Sequence, residues 1–128
     1  MSQEYFDVWR LAVTPVFRDE GMLRQRYRMN GDHPVFAGHF PGYPVLPGMM
    51  QLLFVFNTAG IDQQILTGSI HFEKCKYLKM ILPDEVFEVA CLCTTTGNTT
   101  KLAASLHVEN ELASSFRIQF SPTTSAIL

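Results

Sequence analysis

The sequence predicts an α+β domain in which an antiparallel sheet is wrapped around one central buried helix. Three observations lead there. The segment Met49-Met50-Gln51-Leu52-Leu53-Phe54-Val55-Phe56-Asn57-Thr58-Ala59 is apolar nearly all round and stops at Gly60. A helix without a polar face must be enclosed rather than laid on a surface. Four later runs, Thr67–Tyr77, Val86–Thr95, Thr100–Glu109 and Leu112–Phe120, have strand composition and are divided by turn residues. Short turns between long alternating strands make an antiparallel meander with one buried face, and one buried helix against such a sheet is a layered α+β arrangement.

The elements can be justified in order. Met22–Met29 alternates, with Leu23, Gln25, Tyr27 and Met29 on one face and Arg24, Arg26 and Arg28 on the other. From Gly31 to Gly48 the chain carries Pro34, Pro41, Pro44 and Pro47 with Gly38 and Gly42, which excludes a helix and a central strand. A loop of that length is usually functional or disordered, and Phe36, Phe40 and Tyr43 argue against disorder. Pro47 lies just inside the start of the helix and Gly60 at its end, the usual asymmetry of helix termini. In the next strands Phe87, Val89, Cys91 and Cys93 share a face, as do Leu102, Ala104, Leu106 and Val108, and then Leu112, Phe116, Ile118 and Phe120. Turns are expected at Pro83-Asp84, at Thr96-Gly97-Asn98 and near Asn110.

Composition narrows the function. The 128 residues make a single domain, residues 1–128. With 47% hydrophobic and 17% charged residues the chain is not a disordered protein. A net charge of −2 argues against a general nucleic-acid binder, which needs a basic excess for phosphate. No apolar run reaches the roughly 18–20 residues that span a bilayer. Met1-Ser2-Gln3-Glu4 opens acidic with no apolar signal core behind it, so a cytoplasmic protein is expected. The three cysteines, Cys75, Cys91 and Cys93, agree with a reducing compartment and read as small core residues. They lack histidine partners at ligand spacing, so no metal is expected.

The loop and helix entry, Gly38-His39-Phe40-Pro41-Gly42-Tyr43-Pro44-Val45-Leu46-Pro47-Gly48, resembles a known signature, G-H-F-P-x-x-P-(I/L/V)-(M/L)-P-G. This is the signature of the hotdog-fold β-hydroxyacyl-acyl carrier protein dehydratases of the FabZ and FabA type. More weakly, Cys75-Lys76-Tyr77-Leu78-Lys79 through Pro83 resembles the A-R-F-R-(K/R)-P-V-x-P-G-D strand and turn that follow the helix in that family. The resemblance implies a hotdog fold, ordinarily dimeric through edge strands. It implies that His39 removes the C2 proton of a 3-hydroxyacyl thioester, a task suited to a group with an unperturbed pKa near 6.5. It implies that backbone N–H groups near Gly48 polarise the thioester carbonyl, where enolate charge develops. It also implies an acid on the helix of the neighbouring subunit, which protonates the departing hydroxyl. Counting 14 residues on from His39, that acid's place is held by Leu53, which can neither donate nor accept a proton. Asn57 stands where the family often has a glutamine, an orienting rather than an ionising group.

By the same resemblance Gly48, Phe40, Pro47, Leu53 and Asn57 would contact substrate. Lys76 and Lys79 match basic family positions and would dock an acidic acyl carrier protein, whose phosphopantetheine arm carries the acyl group. For these lysines, as for Lys74, Arg24, Arg26 and Arg28, the plainer account is a solvated strand face. His33, His71 and His107 read as surface or structural residues, and nothing calls for a cofactor. The expectation is a dehydratase-like protein for (3R)-hydroxyacyl carrier-protein thioesters of fatty-acid or polyketide-type synthesis, its activity impaired or dependent on a partner. The dimer would be homomeric, or heteromeric with the partner supplying the acid. The alternative is a non-catalytic hotdog module that binds the acyl thioester or the carrier protein. A hotdog thioesterase also wants a carboxylate near the thioester, so it does not account for Leu53.

Overall fold

One twisted sheet carries the fold: a computed structural model describes residues 8–32, 46, 48–61 and 69–121. In chain order the strands are β1 Phe17–Asp19, β2 Met22–Arg28, β3 Ser69–Tyr77, β4 Val86–Thr96, β5 Thr99–Val108 and β6 Glu111–Ser121. The helix α1 runs Gly48–Ala59, and a 3-10 turn occupies Val8–Leu11. Every described pairing is antiparallel and the spatial order is β1-β2-β4-β5-β6-β3, so β1 and β3 are the edges.

The turns explain the meander. Asp19 pairs with Met22, Thr96 with Thr99 and Val108 with Glu111, so three hairpins close on two residues. Left-handed backbone occurs in each: Glu20 and Gly21 in the first, Gly97 in the second, Glu109 and Asn110 in the third. Such turns match the right-handed twist of the strands they join. Their strands alternate as expected, and Tyr27, Phe87, Val89, Cys91, Leu102, Ala104, Leu106, Val108, Phe116, Ile118 and Phe120 are buried on the inner face. Each large side chain removed from water there is worth about 1.5–3 kcal/mol.

Helix α1 lies across this face over β2 and β4. Phe54 meets Tyr27 edge-on at 4.7 Å and Phe87 at 4.9 Å, while Tyr27 and Phe87 stack at 5.7 Å. Below the aromatic cluster sits a buried polar one. Tyr27 donates from its hydroxyl to Gln25 Oε1 at 2.6 Å and accepts from Asn57 Nδ2 at 2.8 Å. Having spent its proton on Gln25, the phenol accepts from Thr58 Oγ1 as well, 2.7 Å away. Gln25 Nε2 in turn donates to the Thr14 carbonyl at 3.1 Å. Burial pushes the Tyr27 phenol up, against the lowering effect of Asn57 and Thr58.

Four expectations are corrected. β1 and the 3-10 turn were not anticipated, although Glu20-Gly21 is a legible hairpin signal. Cys93 is exposed rather than in the core, and Cys75 is exposed too, leaving Cys91 as the buried cysteine. The cause is register: β2 ends its pairing with β4 at Leu23 opposite Cys91, so Cys93 lies beyond the strand that would cover it. Leu112 is 37% exposed because the β5–β6 register shifts between Leu106 and His107, and buried Ala113 takes up the slip. The Ala113 carbonyl is used, accepting from the backbone N–H groups of Leu78 and Lys79. Finally, Met49, which the apolar run places in the buried helix, is 75% exposed in the first turn of α1.

On the outer face, Glu88 joins β2 to β4 by accepting from Arg24 Nη1 and Arg26 Nε, each at 2.9 Å. Burial pushes its carboxyl up, but the bonds from Arg26 and Arg24 outweigh this and hold it below the usual carboxylate range. A carboxyl depressed on folding adds stability above its unfolded pKa and loses it as pH falls through the folded value. Replacing Glu88 with Gln is therefore expected to flatten the acid-side fall of stability, read from urea midpoints across the carboxylate range. Tyr27→Phe removes the hydroxyl on which Gln25, Asn57 and Thr58 converge. Buried groups lose their partners, and the expected loss is about 1–3 kcal/mol in urea denaturation.

Candidate active site

The start of α1 is held by contacts from far along the chain. Leu46, buried, donates its N–H to the Ile81 carbonyl at 2.7 Å, tying the approach to the helix to the segment after β3. Its own carbonyl accepts from Gln51 Nε2 at 3.4 Å, so the Gln51 side chain folds back toward the helix start. Gln51 is 3% exposed and its Oε1 has no hydrogen-bond partner among the described residues. Gly48 opens the helix against Tyr77, the last residue of β3. A Cβ at Gly48 would lie 2.6 Å from the Tyr77 hydroxyl oxygen and 2.7 Å from Cζ, closer than atoms can approach. Any side chain at Gly48 would force the Tyr77 ring to shift. The Tyr77 ring is held edge-on by Phe116 at 5.6 Å.

Leu53 is partly buried and packs against the core. Within α1, Gly48–Ala59, no side chain titrates, so the helix can orient and polarise a ligand but cannot exchange a proton with it. Asn57 lies one turn beyond Leu53 on the same helix face, at i,i+4. Its Nδ2 donates to Tyr27 and, at 3.3 Å, to Gln25, so that end of the amide is turned to the polar cluster beneath the helix. His39, Phe40 and Pro47 lie outside the described residues.

The basic residues separate. Lys76 is exposed on β3, where Lys74 stands opposite Arg117 and Lys76 opposite Ser115. Lys74, Lys76 and Arg117 line a groove of about 270 Å³, and the Lys74 ammonium is pushed down by Lys76, with Arg117 adding to the effect. Lys79 instead pairs with Glu111, which pulls its ammonium up. Of the arginines, Arg24 and Arg26 bind Glu88, and Arg28 pairs with Asp84. Two residues of this region escaped the sequence reading. Tyr77 was legible as the aromatic in the basic strand motif, whereas the buried state of Gln51 had no signal on an apolar helix.

A family model described as ApeI-like, ApeI dehydratase, matches residues 16–117. The chain belongs to this family. The match takes in β1 through most of β6, with α1 and the signature loop between. Among curated relatives of the ApeI-like chain, the 3-hydroxyacyl-acyl-carrier-protein dehydratase FabZ of Streptococcus suis is 30% identical over 116 residues, 84% of this chain and 81% of that protein. The FabZ of Streptococcus mutans is 31% identical over the same span and shares. Among solved structures, the dehydratase heterocomplex ApeI:P from Xenorhabdus doucetiae aligns with a TM-score of 0.67 at 18% identity, covering 86% of this chain and 96% of that one. An uncharacterized protein from Erwinia carotovora subsp. atroseptica aligns at 0.62 with 23% identity, covering 88% and 95%. The fold is the hotdog fold, and the ApeI-like chain is a dehydratase-like hotdog protein. Among its described residues no helix is long and apolar enough to cross a membrane.

The Gly48–Tyr77 contact has a direct consequence for stability. Gly48→Ala is expected to cost about 1–3 kcal/mol by overpacking. In a Tyr77→Ala background most of that penalty should vanish, a coupling that thermal unfolding of the four proteins of the cycle reads out.

Proposed function

We propose that this chain is one subunit of a 3-hydroxyacyl-acyl-carrier-protein dehydratase and that a second hotdog subunit completes its site. One observation carries the reading: in a chain of the ApeI-like dehydratase family, α1 has no titratable side chain, and Leu53 holds the position that the signature spacing assigns to the acid. Dehydration moves two protons. The imidazole of His39 takes the C2 proton, and the C–H electron pair becomes an enolate charge on the thioester oxygen. That pair then forms the C2=C3 bond as the C3–O bond breaks, and the leaving hydroxide takes a proton from the acid to become water. Solvent returns the proton from imidazolium to carboxylate. This chain supplies the first proton transfer and, at Gly48, the amides that polarise the carbonyl. The second transfer needs a carboxyl from elsewhere.

The edge of the sheet supports a second subunit. β3 is exposed along nearly its whole length, and Phe72, Tyr77, Leu78 and Met80 add apolar surface on and just after it. An open strand with apolar side chains is a ready template for another strand. The ApeI:P structure is itself described as a heterocomplex, which favours a mixed over an identical pair. Carrier docking falls to Lys76, reinforced by Lys74 and Arg117. In this role Lys79 is the weaker contributor, because it shares its charge with Glu111. Such a protein works in the cytoplasm beside its carrier.

The lack of a titratable group on α1 also suits a second reading, a module that binds the thioester without reacting. Mass spectrometry of 3-hydroxyacyl carrier protein separates the two. The purified chain should give no loss of water. Addition of a hotdog partner bearing a helix carboxylate should start dehydration, and His39→Ala should lower the rate by about 10²-fold or more. Leu53→Glu should give the chain alone His39-dependent turnover. Rapid dehydration by the unaltered chain alone would show the acid to be unnecessary. Silence of both the mixed pair and Leu53→Glu would favour the binding module.

A further inference from the structure

We infer that Tyr77 is a substrate-contacting residue whose hydroxyl donates a hydrogen bond to the thioester carbonyl at the start of α1. The inference deepens the dehydratase reading and rests on it. No described residue hydrogen-bonds the Tyr77 hydroxyl, and the residue as a whole is 52% exposed, so the side chain can be reached from solvent. It is nonetheless fixed. Phe116 holds the ring edge-on, and the hydroxyl end lies against Gly48, where the carbonyl of a bound thioester would sit. In the strand motif that Cys75–Pro83 resembles, the matching residue is phenylalanine, which has the same ring and no donor. Burial, with a contribution from Cys75, pushes the Tyr77 phenol up, so near neutral pH it is a protonated donor.

A second polar group lies in the first turn of the same helix. Gln51 Oε1 is buried without a donor among the described residues, on an amide whose nitrogen reaches back to the Leu46 carbonyl. Orphaned buried acceptors are rare because each forfeits its hydration. A 3-hydroxyacyl thioester presents both complements, a carbonyl oxygen for Tyr77 and a 3-hydroxyl for Gln51. Tyr77 remains a phenol throughout and transfers no proton. Its bond strengthens as charge gathers on the carbonyl oxygen, lowering the barrier to C2 deprotonation. The hydroxyl thus assists the half-reaction that this chain performs and leaves protonation of the departing hydroxide to the partner.

The test is Tyr77→Phe, which keeps the ring and its contact with Phe116, so the melting temperature should hold. Crotonyl-pantetheine labelled with ¹³C at its carbonyl is bound to the wild-type and variant proteins and read by isotope-edited infrared spectroscopy. The carbonyl band should lie at lower wavenumber in the wild type and move up in the variant. In the mixed assembly kcat should fall by on the order of 10²-fold with KM little changed, the mark of a donor used mainly in the transition state. A bound probe whose band is the same in both proteins overturns the role of Tyr77 and leaves the dehydratase reading standing. Failure of the wild-type protein to bind the probe overturns the thioester reading, and this inference with it.

Discussion

Everything at the site depends on how α1 is rotated over the sheet, and the Tyr27 hydroxyl controls that rotation. An apolar helix on an apolar sheet face has many nearly equivalent settings, because dispersion and burial are non-directional. Hydrogen bonds are directional. Tyr27 accepts from Asn57 and Thr58 and donates to Gln25, so the helix has a setting in which all these buried groups are paired at once. Phe54 and Phe87 then close around the ring. With the helix so fixed, Asn57 turns its amide to the polar cluster, and Leu53, one turn before it, takes its half-buried place against the core.

The ends of α1 and β3 meet under a similar constraint. Gly48 can abut the Tyr77 ring because it has no Cβ, and the Leu46–Ile81 bond draws the two segments together from outside. The result is a helix start at which Gln51 Oε1 has no partner among the described residues, beside β3, which lies at the edge of the described strands. Helix α1 can orient and polarise a ligand through its amides but holds no side chain that could exchange a proton with it.

The outer face shows how little a run of charge says until its partners are known. Arg24, Arg26 and Arg28 form the most conspicuous basic alternation in the sequence, yet Glu88 and Asp84, roughly sixty residues away, take up their charge. Lys76 kept an open cationic setting because its cross-strand neighbours are Ser115 and, one pair along, Lys74 opposite Arg117. Cys93 and Leu112 were misplaced for a related reason. Alternation assigns a face but not the length of the covering strand, and one bulged residue reverses the assignment.

Local chemistry in the sequence therefore determined the elements: the buried helix and its ends, the alternating strands, the two-residue turns and the signature that places the chain among hotdog dehydratases. Those features depend on neighbours a few residues apart, through backbone preference and side-chain period. The roles of His39 and Gly48 and the acid's place at Leu53 are what the resemblance to that signature implies. Tertiary structure alone decided the polar cluster around Tyr27, the approach of Tyr77 to Gly48, the orphaned Gln51 and the pairing of the charges. Each of these joins residues tens of positions apart, and their energies turn on ångström-scale distances that no local pattern encodes.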